Sequence, residues 1–176
     1  MRWDLIPYRN HGKPTGKVLI NAKVENLESN YYWSGPWSRR QRCIFCMAGF
    51  YEPHRYADGR KEPFYVRVTD REVFGVAGIW ERSVMEDGTE VHSCALITSP
   101  PNALLAEVHN EKQRMPAVLR EQDHEVWLRG TPAEAGAVLL PYPHSMMTAW
   151  QVSRRVNSPK ASNDAGLIAP VGNGAP

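Results

Sequence analysis

Cysteine is scarce in this chain: Cys43, Cys46 and Cys94 are the whole supply in 176 residues. A small, odd number cannot build a disulfide framework, which points to a soluble protein in a reducing compartment such as the cytoplasm. No apolar run approaches the roughly 18 residues that a membrane-spanning helix needs. The opening Met1-Arg2-Trp3-Asp4 has no apolar signal-peptide core. No repeat of about 20–50 residues recurs, which excludes a solenoid. An excess of one charge is also missing: 21 Lys and Arg face 19 Asp and Glu, for a net charge of +2. What remains is 42% hydrophobic and 23% charged residues, ordinary values for a packed globular domain. Length and composition fit one domain over residues 1–171. Residues 172–176 close a Pro-, Gly-, Asn- and Ala-rich stretch and read as a flexible tail.

Charge is uneven along the chain. Residues 1–80 hold 13 basic and 8 acidic side chains, whereas 81–176 hold 8 and 11. The basic half includes Arg39-Arg40-Gln41-Arg42 and Arg60-Lys61. Such asymmetry either steers a polyanion to one face or is ordinary solvated surface.

Apolar patterning predicts strands at Val18–Val24, Phe64–Val68, Val73–Trp80 and Val91–Thr98, the last two joined through Asp87-Gly88. Gly75 and Gly78 inside an apolar run suggest a bulge or a close backbone approach. Helices are predicted at 101–109, with Asn102 as N-cap, and at 121–129, closed by Gly130. Residues 131–143 read as turns. The result is an α+β fold dominated by antiparallel strands.

Few motifs stand out alone. Cys43-Ile44-Phe45-Cys46 lacks a second ligand pair, so buried thiols in or near a strand are expected, with no metal and no cofactor. Glu52 follows Phe50 and Tyr51, and aromatic shielding raises a carboxyl pKa into a useful acid–base range; the plainer reading is a strand-end Glu facing water. His109 ends the first predicted helix, where a surface imidazole capping its own helix is the plainer reading. Asn21 sits inside an apolar strand, where burial would require hydrogen-bond partners. Trp3 and Trp80 are expected in the core. Tyr8, Trp3 and Trp37 are the aromatics considered for stacking on unpaired bases.

The order of motifs carries more than any one of them. Trp3-Asp4-Leu5-Ile6-Pro7 is followed by Asn21-Ala22-Lys23-Val24-Glu25, Arg42-Cys43-Ile44 and Gly49-Phe50-Tyr51-Glu52. Then come Phe74-Gly75-Val76-Ala77-Gly78-Ile79-Trp80-Glu81, Leu96-Ile97-Thr98 with Asn102, Arg114-Met115-Pro116, and Val152-Ser153 with Val156-Asn157. Over residues 3–171 this resembles the SOS-response-associated peptidase (SRAP) family, sensors of abasic sites in single-stranded DNA. The resemblance implies a bifurcated, mainly antiparallel sheet folded into a pseudo-barrel with a few peripheral helices. It implies a basic cleft for single-stranded DNA. It also implies a condensation in which an N-terminal Cys traps the ring-opened abasic sugar as a thiazolidine. Residue by residue, Asn21 matches the Asn that holds the N-terminal residue and the sugar. Glu52 matches the acid–base group near the amine, and His109 the group acting on the sugar's ring oxygen or hydroxyl. Thr98 matches a pocket-lining position and Lys23 a phosphate-facing one. Tyr8, Arg39, Arg42 and Arg114 complete the expected DNA-binding set.

The family normally begins with Met-Cys-Gly-Arg, tens of residues before the Trp3 motif, whereas this sequence begins at that motif with Arg2 second. The expected domain therefore lacks the usual N-terminal segment, and an imine from the Met1 amine is the most that it is expected to form. Asp4 stands where the family often has Gly, and Pro53 where it often has Trp. His109 and Arg114 are separated by four residues, more than in many members. An inactive single-stranded-DNA-binding pseudoenzyme is the alternative function, with a peptidase ranked below it.

Overall fold

The computed structural model describes residues 1–172. The chain is α+β with mainly antiparallel pairing, as the patterning indicated. It divides into two compact units: Met1–Cys46, Gly75–Ser99 and Pro116–Leu140 form one; Met47–Phe74, Pro100–Met115 and Pro141–Pro176 form the other. Of the expected tail, residues 173–176 lie outside the described residues. Among the described residues, no helix is long and apolar enough to cross a membrane.

The first unit is built on a seven-stranded sheet. Its strands are β1 (Arg2–Trp3), β2 (Asn21–Lys23), β3 (Arg42–Met47), β6 (Phe74–Val84), β7 (Glu90–Ser99), β8 (Met115–Pro116) and β9 (Val118–Leu119). The long β6–β7 hairpin is antiparallel, with Gly78 opposite Leu96 and Val84 opposite Glu90. β1 and β2 both join β7 in parallel, a mixture that patterning alone does not reveal. The core cluster includes Leu5, Ile79, Ile97, Leu119 and Trp127, each at most 2% exposed. Fully burying side chains of this size stabilises a fold by roughly 1.5–3 kcal/mol each. At the two glycines of β6 it is side chains, not backbone, that approach closely. A Cβ at Gly75 would meet His124 and Ile44 at 2.8 Å, and one at Gly78 would collide with the Phe45 ring.

Several local expectations are corrected. The strand expected from Val18 forms a regular ladder only at Asn21–Lys23 and passes at Val24 into a 3-10 turn; Val18 is exposed. Alternation in β2 buries Ala22 and turns Asn21 to solvent, so the amide needs no buried partner. Trp3 is 53% exposed, not core, because it lies on a two-residue strand and reaches across to the Ile20 carbonyl. Trp80 is partly buried. Cys46 is exposed and Cys43 half-buried. Three positions apart on β3, the two thiols point to opposite faces and cannot share an ion. Among the described residues, no cluster of three or more His, Cys, Asp or Glu could hold a metal.

Residues 131–143 are not all turn. Helix α4 (Pro132–Ala137) starts with a capping box in which Thr131 accepts from the Glu134 N–H and Glu134 accepts from the Thr131 N–H. Helices α1 (Ser34–Ser38) and α3 (His124–Arg129) are short, and Gly130 closes α3 in an extended conformation rather than a left-handed one. Asp4 has a φ of +134°, in the region that favours glycine. Its carboxylate holds the bend by accepting from the Leu19 N–H at 2.9 Å and from Arg2 at 3.0 Å.

The second unit carries a three-stranded antiparallel sheet in which β5 (Lys61–Val68) lies between β4 (Phe50–Arg55) and β10 (Met147–Gln151). Phe64, Val66 and Val68 on β5 are at most 1% exposed, as are Leu105 and Val108 on α2 (Ala103–Val108). Asn102 caps α2 as expected, accepting from the Leu105 N–H at 2.9 Å, and its amide also donates to the Tyr142 carbonyl at 2.7 Å.

Candidate active site

Glu52 owes its position to strand alternation. On β4 the residues Phe50, Glu52 and His54 share the inward face, while Tyr51, Pro53 and Arg55 face out. β4 is an edge strand, so Pro53 breaks no interior ladder. His109 is the C-cap of α2, and its own N–H donates to the Leu105 carbonyl at 2.8 Å. Turning in at the helix end, the imidazole is only 6% exposed.

There the two side chains meet: His109 Nδ1 lies 3.1 Å from Glu52 Oε2. The same Nδ1 lies 3.0 Å from the Arg114 carbonyl oxygen. A carbonyl can only accept, so Nδ1 carries the hydrogen and Nε2 is left with the lone pair. Burial pushes the Glu52 carboxyl up to about 7, opposed in part by the positive charge of Lys112. Burial also pulls the His109 imidazole below its ordinary value. Near neutral pH the pair therefore holds a carboxyl that can give or take a proton beside an imidazole with a free basic nitrogen.

Glu52 opens onto a cleft of about 150 Å³ lined also by Tyr51, Pro53, Lys61, Glu62, Pro63 and Asn157. Glu62 is held by two contacts from Arg154, at 2.8 and 2.6 Å, which keep its carboxyl below the usual range. Sequence reasoning did not single out Lys61, Glu62 or Lys112 as neighbours of this site. Arg60-Lys61 was visible as a basic pair, but nothing in the spacing tied it to Glu52.

The other expected residues fall into separate groups. Asn21, Lys23 and Thr98 gather on the β2–β7 ladder of the first unit, where Lys23 is the register partner of Thr98 and Thr98 Oγ1 reaches the Ala22 carbonyl. Tyr8 and Arg39 line one groove of about 250 Å³ with Gln41, Glu81 and Arg82. In it Arg39 is tied to the buried Glu81 at 2.6 Å. Arg42 is only 5% exposed, with its guanidinium 5.6 Å from both the Trp37 and Trp127 rings and donating to the Gly130 carbonyl. That packing occupies Arg42 within the fold and turns it away from the surface. Arg114 contributes its carbonyl to the His109 site.

These features define a class: an α+β protein with a largely buried carboxyl–imidazole pair beside a small cleft. The family model described as SOS response associated peptidase (SRAP) matches residues 1–159, and the chain belongs to that family. It is 33% identical over 171 residues to the abasic site processing protein YoqW of Bacillus subtilis, covering 96% of this chain and 74% of that protein. It is 32% identical to YoaM of the same organism, with 96% and 73% coverage. A solved protein structure from Bacteroides thetaiotaomicron superposes with a TM-score of 0.86 at 26% identity, covering 96% of this chain and 75% of the other.

Proposed function

We propose that this chain processes abasic sites in single-stranded DNA, with Glu52 and His109 as its proton-transfer pair. The observation that carries the reading is their 3.1 Å contact, made where burial lifts the Glu52 carboxyl to about 7 and lowers the His109 imidazole. An abasic sugar must open its ring before its aldehyde can react. Opening takes a proton from the anomeric hydroxyl and delivers one to the ring oxygen, and His109 suits that exchange. When an amine adds to the aldehyde, the nitrogen gives up a proton and the hydroxyl leaves as water, a sequence that Glu52 can serve from either protonation state. On the family's motif pattern, Asn21 holds the sugar.

Lys23, Thr98, Tyr8 and Arg39 are the residues assigned to the strand itself, and Lys23 and Tyr8 are exposed as phosphate and base contacts require. The relatives named for abasic site processing support DNA as the substrate class, which fits a setting beside the chromosome, in the cytoplasm or nucleoid of a bacterium.

The test is incubation with single-stranded oligonucleotides, intact or carrying one abasic site, with and without borohydride. A borohydride-trapped or denaturation-resistant adduct on the abasic strand alone supports the reading. Salt-sensitive binding of both strands with no chemistry overturns it in favour of a pure binder.

A further inference from the structure

The residues that follow His109 are tied to the strand that carries Glu52 by contacts no motif accounts for. Asn110 and Arg55 bind reciprocally: the Arg55 N–H donates to Asn110 Oδ1 at 3.1 Å, and Asn110 Nδ2 donates to the Arg55 carbonyl at 2.8 Å. Glu111 spans the β4–β5 hairpin, one oxygen 2.6 Å from Arg55 and the other 2.5 Å from Lys61. Gln113 closes the loop: its side chain donates to the Ala106 and Asn110 carbonyls at 2.9 and 3.2 Å, and its N–H to the His109 carbonyl at 3.1 Å. Further back on α2, the Glu107 carbonyl is 3.0 Å from His54 Nδ1.

We propose that the loop Asn110–Gln113 is a clamp that sets the separation of Glu52 and His109, with Asn110 and Glu111 as positioning residues. The assignment rests on the reading of that pair as the proton-transfer centre. Arg55 lies three residues beyond Glu52 on the same strand, and Asn110 adjoins His109. Fastening Arg55 to Asn110 therefore fixes both partners at once. A carboxyl and an imidazole exchange protons only within hydrogen-bond reach, so a small drift of β4 from the end of α2 separates them. With β4 held against the end of α2 the Glu52 side chain is 17% exposed, and a drift of the strand would admit water to the carboxyl. The charged groups around Glu52 are His109, Glu111 and Lys112 from the α2 side, and Lys61 and Glu62 from β5, with Arg154 behind Glu62.

Asn110→Ala tests this without changing any charge. With the full chain carrying 13C-labelled Glu carboxyls, the Glu52 titration is followed by NMR alongside processing of an abasic oligonucleotide. The clamp predicts that the Glu52 midpoint falls from about 7 toward 4.5 as water enters, while processing drops about tenfold or more. Gln113→Ala, which loosens the loop without touching Arg55, moves both in the same direction. A Glu52 midpoint that stays put in both variants overturns the clamp, whatever happens to thermal stability. If the midpoint moves as predicted but the wild-type chain is inert toward abasic DNA, the clamp stands and the functional reading falls.

Discussion

Replacing Glu52 by Gln should stabilise the protein at high pH and leave it unchanged at low pH. The carboxyl titrates near 7 in the folded chain against an ordinary value of 4.5. A raised folded value means that the native state holds its proton more tightly than the unfolded chain does. The stability this provides is complete below pH 4.5 and is lost as the pH climbs through 7. At 1.36 kcal/mol per unit, the gap between the two values amounts to about 3 kcal/mol. The amide introduced by Glu52→Gln would keep the shape of the protonated acid at every pH and forgo that loss. The substituted protein should therefore match wild type near pH 4.5 and exceed it by about 3 kcal/mol near pH 8. For a chain of this length that is a rise of about 6–12 °C in Tm. Thermal melts of both proteins across that range read the effect directly. His109, with its lowered value, has the opposite slope, because its contribution is lost as the pH falls. It is present in both proteins and largely drops out of the difference. Melting curves that stay parallel from acid to alkali would refute the burial argument on which the acid–base role of Glu52 depends.

Further outcomes follow from the same structure. His109→Asn should cut abasic-site processing by about 100-fold or more with little change in DNA affinity, measured by single-turnover kinetics and by fluorescence anisotropy. Lys23→Ala should weaken binding equally for all single-stranded sequences and lower the salt slope by about 1, checked by anisotropy across a salt series. Asp4→Ala should destabilise the chain by about 1–3 kcal/mol, since it keeps the glycine-favouring φ and removes the carboxylate's two bonds, whereas Asp4→Gly should lose much less; chemical denaturation separates the two. Trp127→Ala should cost about 3–5 kcal/mol in the same assay, because the ring is fully buried and its N–H donates to the Cys43 carbonyl.

The sequence disclosed elements wherever local periodicity decides the structure. The β6–β7 hairpin, β5 and the Asn102-capped helix α2 all fall where apolar spacing and a capping residue put them. It failed at α4, although Thr131-Pro132-Ala133-Glu134 is a capping box with proline at the first helical position and could have been read as one. The parallel attachment of β1 and β2 to β7 was out of reach, since strands of two and three residues have no usable period. At the site, the aromatics before Glu52 already point to a raised carboxyl, but only a family's motif order joins Glu52 to His109. The contact between them depends on β4 meeting the end of α2, a long-range event that neither segment announces. The same holds for Arg42: a run of basic residues looks like surface, and only the flanking Trp37 and Trp127 rings reveal that this one is packed inside.

The most direct measurement is a denaturing gel of wild type, Glu52→Gln and His109→Asn incubated with an abasic single-stranded oligonucleotide under borohydride, beside the intact strand. Wild type should trap or convert the abasic strand only, and both variants should lose that activity while still binding DNA. Equal conversion by all three proteins, or no distinction between abasic and intact strands, would contradict it.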